Sequence, residues 1–239
     1  MDMLMARYNP EAWRHQIEWW AQCYQFSSNT TCLFWVYNQA VPAWLATMLL
    51  LSAPEDVGSF ALLGLAAFPF SPLPLMGLMV YFIGTAVCRL IIRIREQGLA
   101  RGFRALLDEC FTGRNLLAIV GLFPVFALYF SANAASGSAP LRFDIYIDSL
   151  GLGGAVRLLI LFDIVEFACF SLVMGPRFGK SRVFWLTQLS LILAPMFKIG
   201  YNMDFSMRAS IPALCVLCVF VIRFLTEEHS GVRRKVSAA

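Results

Sequence analysis

The chain has 239 residues, of which 59% are hydrophobic and only 14% charged, against roughly 45–50% apolar and about 25% charged in soluble domains. So few polar side chains cannot cover a water-facing surface, which excludes a sizeable soluble domain. The formal net charge of +4 does not point to nucleic acid, because the basic residues stand in short clusters beside apolar runs, as membrane orientation requires.

A hydrocarbon layer about 30 Å thick needs roughly 20 mostly apolar helical residues per crossing. The expectation is an all-α, polytopic transmembrane bundle of about seven spans over 41–226. An external interfacial segment over 1–40 precedes it, and a cytoplasmic tail over 227–239 comes after it. Met1–Tyr8 lacks the apolar core of a signal peptide. From Glu11 to Gln25, Trp13, Ile17, Trp20 and Tyr24 recur at helical spacing, which predicts a short amphipathic helix lying on the bilayer or packed on the bundle. Phe26–Gln39 reads as a polar, aromatic loop, and Pro42 suits the first turn of the helix after it.

The runs Val41–Ala53 and Val57–Phe70 flank Pro54-Glu55-Asp56, and each is short for a crossing. They are open to two readings, a pair of short spans or one re-entrant pair, the latter leaving five full crossings. Leu75–Ile92 is a span ended by Arg89, Arg93 and Arg95. Glu96–Arg114 is amphipathic and basic, fitting a surface helix or a solvated loop helix. Leu116–Phe130, Ala155–Met174, Val183–Ile199 and Ile211–Leu225 complete the spans, joined by the loop Ser131–Gly153, the basic turn Gly175–Arg182 and the polar turn Gly200–Ala209.

Of the Lys and Arg residues between spans, eleven fall on one side (Arg93, Arg95, Arg101, Arg104, Arg114, Arg177, Lys180, Arg182, Arg233, Arg234, Lys235) and four on the other (Arg7, Arg14, Arg142, Arg208). The positive-inside rule puts the C-terminus in the cytoplasm, and an odd number of spans then puts the N-terminus outside. An outside N-terminus without a signal peptide is explained if the chain is a piece of a longer protein.

Chemistry is expected in two places. Asp163 and Glu166 lie three apart within the Ala155–Met174 span, on one helix face. A charge at the centre of a crossing costs at least about 2.5–3.5 kcal/mol on insertion scales, so these carboxylates face the bundle interior, with Lys198 or Gln188 as structural partners. A proton relay, an ion site and a buried polar contact are the functional readings of the pair. The second place is external: Arg142, Asp144 and Asp148 in one loop, and Asn202, Asp204 and Arg208 with Lys198 around another, form a candidate substrate-binding mouth for anionic headgroups. The seven cysteines lack metal-site spacing, and His15 and His229 stand alone, so no metal or cofactor is expected. Cys23 and Cys32, both in the external segment, are candidates for an oxidised pair.

Glu166, the stretch Tyr201-Asn202-Met203-Asp204-Phe205-Ser206-Met207-Arg208-Ala209-Ser210-Ile211-Pro212-Ala213-Leu214, and the segments Ser28–Thr31 and Phe34–Trp44 carry a resemblance. Together they resemble the C-terminal half of bacterial multi-pass glycosyltransferases of the GT-C type. That resemblance implies sugar transfer from polyprenyl-phosphate donors on the external side of the inner membrane. The catalytic carboxylates of such enzymes lie in a first external loop, which would fall upstream of Met1, and nothing here matches it. The expectation is therefore an inner-membrane protein of envelope polysaccharide or glycolipid assembly, headgroup-binding or accessory to glycosyl transfer. Its partners would be membrane lipids, polyprenyl-phosphate sugars and another membrane subunit. The rival expectations are a small secondary transporter or channel using Asp163 and Glu166, and a purely structural membrane partner.

Overall fold

The computed structural model describes residues 18, 20, 21, 23–70, 72–133, 141–199 and 203–237. They are almost entirely helical. In chain order the helices are α1 (Asn29–Trp35), α2 (Tyr37–Ser52), α3 (Phe60–Ala67), α4 (Pro72–Gln97), α5 (Leu99–Cys110), α6 (Gly113–Gly121) and α7 (Phe123–Asn133). After them come α8 (Ile147–Asp163), α9 (Cys169–Phe178), α10 (Arg182–Leu193), α11 (Asp204–Ala209) and α12 (Ile211–Ser237). Strands β1 (Arg142–Phe143) and β2 (Phe197–Lys198) pair antiparallel, with Arg142 opposite Lys198 and Phe143 opposite Phe197.

The segment expected as a loop over Phe26–Gln39 is mostly helix. Ser28 caps α1, its hydroxyl accepting from the Thr31 amide at 3.1 Å, and so satisfies one of the amides that a helix start leaves unbonded. Pro42 lies inside α2 rather than in its first turn. Most of the expected Glu11–Gln25 helix lies outside the described residues. Trp20 and Tyr24 are described and are buried in the core, so the packed reading holds for them and the headgroup-level one does not.

Two helices are long and apolar enough to cross a membrane, Pro72–Gln97 with 26 residues and Ile147–Phe178 with 32; counting the bent pair Leu99–Cys110 and Gly113–Tyr129 as one makes three. By that measure the described residues fall short of the expected seven, because apolar runs in the sequence break into shorter helices. Val183–Ile199 becomes a 12-residue helix, a 3₁₀ turn through Pro195 and strand β2. At 1.5 Å per residue such a helix covers about 18 Å, well short of the hydrocarbon thickness. Leu116–Phe130 is interrupted at Leu122 between α6 and α7, with Pro124 tolerated in the first turn of α7. Val57–Phe70 yields only the short helix α3 behind a 3₁₀ turn.

Gly98 turns the chain between α4 and α5 with φ +83°, a conformation that costs glycine little. Beyond the turn α5 folds back on α4 so tightly that a Cβ on Gly102 would lie 2.7 Å from the Ile94 amide nitrogen. Helix α12 is the central column, packing on α1, α2, α4, α9 and α10. Its Ala213, Val216, Leu217 and Phe220 are buried with Leu78, Tyr81, Phe162, Phe184 and Leu191. A deep polar contact there is satisfied, the Tyr81 hydroxyl donating to Thr187 Oγ1 at 3.0 Å. Outward-facing apolar residues such as Leu117, Leu128 and Leu172, each more than 70% exposed, cover the flanks. A water-facing surface carries few patches of that kind, whereas lipid does not penalise them.

Candidate functional site

Polar chemistry collects at the two ends of the bundle. At the end holding the start of α4 and α8, the N-terminal segment is strapped across the helices by its aromatics. The Trp20 indole N–H donates to Glu166 Oε1 at 2.8 Å, and its ring stacks on Phe162 with centroids 6.1 Å apart. Tyr24 donates through its hydroxyl to the Ile145 carbonyl at 2.8 Å, and Phe26 packs on Phe162 at 4.8 Å. Ser206 of α11 donates to the Gln25 carbonyl at 2.8 Å, which brings α11 against this segment.

A cavity of about 320 Å³ opens beside that contact. Glu18, Gln25 and Thr31 line one wall, Asp204 and Arg208 of α11 another, and Trp35 stands at the rim, 80% exposed. Glu18 is already engaged: its Oε1 accepts from the Ser28 amide at 3.0 Å and the Thr31 hydroxyl at 2.7 Å. Gln25 is buried, and its Oε1 has no hydrogen-bond partner among the described residues. Asp204 and Arg208 pair at 3.3 Å across one helical turn, both partly exposed, so their mutual hold is weak and an incoming anion can compete for the guanidinium. The cavity thus combines a polar wall, a guanidinium and an exposed indole face.

The other predicted external residues form a separate, self-satisfied cluster. Asp144 accepts from the Tyr146 amide at 2.8 Å and faces Arg142 at 3.3 Å and Lys198 at 3.8 Å. Lys198, read both as a partner for the intramembrane carboxylates and as part of the external cluster, sits on β2 at this end, with its ammonium 4.5 Å from the Tyr146 ring centroid. Burial first, then Cys23 and Asp144, push the Tyr146 phenol up to about 12. Asp148 is exposed in the first turn of α8 and shares a surface hollow with Arg142 and Asp144. The expected single mouth is therefore two places, with Asp204 and Arg208 in the cavity and Arg142, Asp144 and Asp148 outside it. Asn202 lies outside the described residues.

The span holding Asp163 and Glu166 is irregular. Gly151, with φ +67°, breaks its first turn from the rest, and residues Ile164–Ala168 form a single π-helical stretch. Such bulges insert a residue into the α-helical ladder and shift the register of the later turns relative to the earlier ones. Glu166 reaches Trp20, while Asp163 Oδ1 is buried with no hydrogen-bond partner among the described residues.

Sequence reasoning missed Glu18, Gln25 and Trp35 as cavity residues. The Ser28-x-x-Thr31 spacing, which marks a helix start, was the available signal that this segment is ordered. Cys23 and Cys32 are free thiols and not an oxidised pair; burial, then Glu18, push the Cys32 thiol up to about 11, which keeps it protonated and unreactive at neutral pH. Among the described residues no cluster of His, Cys, Asp or Glu is arranged to hold a metal ion.

The opposite end carries a different constellation. Arg89 bridges Glu109 at 2.7 Å and Glu55 at 3.3 Å; Arg93 also pairs with Glu109, and Arg182 reaches Glu55 at 3.3 Å. Beside them Arg114 pairs with Asp56 at 3.3 Å. Asn115 is buried there, its amide donating to the carbonyls of Val57 at 3.0 Å and Cys110 at 2.8 Å while its oxygen accepts from the Ala61 amide at 3.0 Å.

No protein-family model matches this chain, and no curated protein or solved structure is detectably similar to it.

Proposed function

We propose that the protein is a multi-pass membrane protein of about seven crossings that binds the sugar-phosphate headgroup of a lipid in the cavity between Glu18, Trp35 and Arg208. In this reading the N-terminus and the cavity face outward and the C-terminus faces the cytoplasm of a bacterial inner membrane. Two features support the orientation. Glu55, Arg89, Glu109 and Arg182, from segments read as cytoplasmic turns or helix ends, meet one another. Phe143 and Phe197, Ser206 and Gln25, from segments read as external, likewise meet one another.

The observation that carries the functional reading is the cavity's lining. Carboxylates, the Thr31 hydroxyl and an exposed tryptophan suit sugar hydroxyls and a sugar's apolar face, and Arg208 suits a phosphate. Both Asp204 and Arg208 belong to the stretch that resembles the GT-C transferases, which fits a headgroup-binding protein or an accessory to glycosyl transfer. The working partners are polyprenyl-phosphate sugars and another membrane subunit.

Binding of a polyprenyl-phosphate sugar to the protein in nanodiscs tests this. Affinity should fall at least about tenfold in Arg208→Gln and in Trp35→Ala, as expected for loss of a charge-assisted hydrogen bond or an aromatic contact. Equal affinity in the wild type and both variants would reject the cavity as the site. The transporter reading has one observation in its favour, the unpartnered Asp163 Oδ1 beside a π bulge. It requires Asp163→Asn to abolish ion-coupled uptake into proteoliposomes.

A further inference from the structure

Helix α5 carries an apolar arc that nothing in the described chain covers. Leu99, Phe103 and Leu107 recur every four residues along it and are 71%, 52% and 37% exposed, and Phe111 just beyond its end is 67% exposed. The inner side of the same helix is accounted for, because Gly102 and Leu106 are buried and Glu109 is paired with Arg89 and Arg93. At 100° per residue Leu99, Phe103 and Leu107 fall within about 80° of one another, with Arg104 about 60° and Arg101 about 120° beyond Leu107. Arg101, Arg104 and the preceding Arg95 are exposed, and no ion pair holds them among the described residues. The acidic groups nearby are Glu96 and Asp108, also exposed, and Glu109 and Asp56, which are already paired. Beyond the 65° bend the exposed apolar surface continues along α6 through Leu116, Leu117 and Val120.

We infer that α5 lies in the headgroup layer of an anionic leaflet, with Leu99, Phe103, Leu107 and Phe111 in the acyl boundary and Arg101 and Arg104 on lipid phosphates. An apolar stripe with unpaired arginines on the polar face beyond it is the pattern of an interfacial helix, and the charge selects anionic over zwitterionic lipid. Continuity with the lipid-facing flank of α6 argues against a soluble partner there, since such a partner would have to enter the hydrocarbon. The inference rests on the membrane reading given above and adds a lipid-selective surface at the end opposite the cavity.

The test places a photoreactive benzoylphenylalanine at Phe103 and, separately, at Leu117, in the full chain reconstituted in vesicles of equal phosphatidylcholine and phosphatidylglycerol. Mass spectrometry then identifies the adducts. The Phe103 probe should capture phosphatidylglycerol over phosphatidylcholine at least about fivefold more than the Leu117 probe does, the selectivity expected from a single arginine at an anionic surface. Arg101→Gln with Arg104→Gln should bring the Phe103 ratio down to that at Leu117. Equal ratios at the two positions in the wild type, or capture of a second copy of the chain by the Phe103 probe, would overturn the inference and leave the membrane reading intact. Failure of the Leu117 probe to capture any lipid would overturn both.

Discussion

At one end of the bundle the helices are tied by charges, with Glu55 and Glu109 each bridging two arginines; at the other they are tied by buried aromatics and by hydrogen bonds aimed at backbone carbonyls. The two devices leave different residues behind. Glu55 and Glu109 find partners at the first end, and the buried Asn115 side chain makes four hydrogen bonds, so little polar capacity is left inside the clamp itself. The aromatic strap at the second end holds the chain in place while leaving Asp204, Arg208 and the exposed Trp35 around an open cavity. A clamp and a binding site thus occupy opposite ends of the same helices, and variants at each should have effects of different kind.

The largest stability effect is expected from Asn115→Ala, which leaves the Ala61 and Leu62 amides and the Val57 and Cys110 carbonyls without this partner. At roughly 1–3 kcal/mol for each buried group stranded, a loss of about 3 kcal/mol should appear as a lower thermal unfolding midpoint in detergent. Trp20→Phe at the strap keeps the stacking on Phe162 and removes only the bond to Glu166. It should cost about 1–2 kcal/mol by the same measurement. Smaller still is Glu55→Gln: the carboxylate is half exposed, so about 0.5–1 kcal/mol is expected, shrinking as salt is added. Arg208→Gln should change stability by less than about 0.5 kcal/mol while weakening headgroup binding, which separates the cavity from the clamp. A stability loss at Arg208 as large as that at Asn115 would erase the distinction between the two ends.

Helical class was legible from composition alone, and so were the two longest spans, because Leu75–Ile92 and Ala155–Met174 are long, apolar and bounded by polar residues. The count of spans was not, because hydropathy registers apolar runs and not helix continuity. Pro195 ends α10 within a run that reads as uninterrupted, and α6 gives way to α7 at Leu122, just ahead of Pro124. Asp204 and Arg208, singled out from their loop, line the cavity. Glu18, Gln25 and Trp35 were not singled out, since the cavity arises from a contact between Gln25 and Ser206, 181 positions apart, that no local pattern encodes. Of the two sequence readings of Lys198, the pairing of β1 with β2 sets it beside Asp144 in the external cluster. The π bulge at Glu166 has no composition signal that spacing rules detect.

The most direct test of the two-ended account uses one helix. In a variant freed of its native cysteines, Asp148→Cys and Lys180→Cys place single thiols at the two ends of Ile147–Phe178, both at exposed positions. In intact cells a membrane-impermeant maleimide should label the thiol at position 148, on the cavity end, and should label position 180 only after lysis. Labelling of both from outside, or of neither until lysis, would mean that this helix does not separate two compartments, and the account of an outward cavity opposite a cytoplasmic clamp would fail.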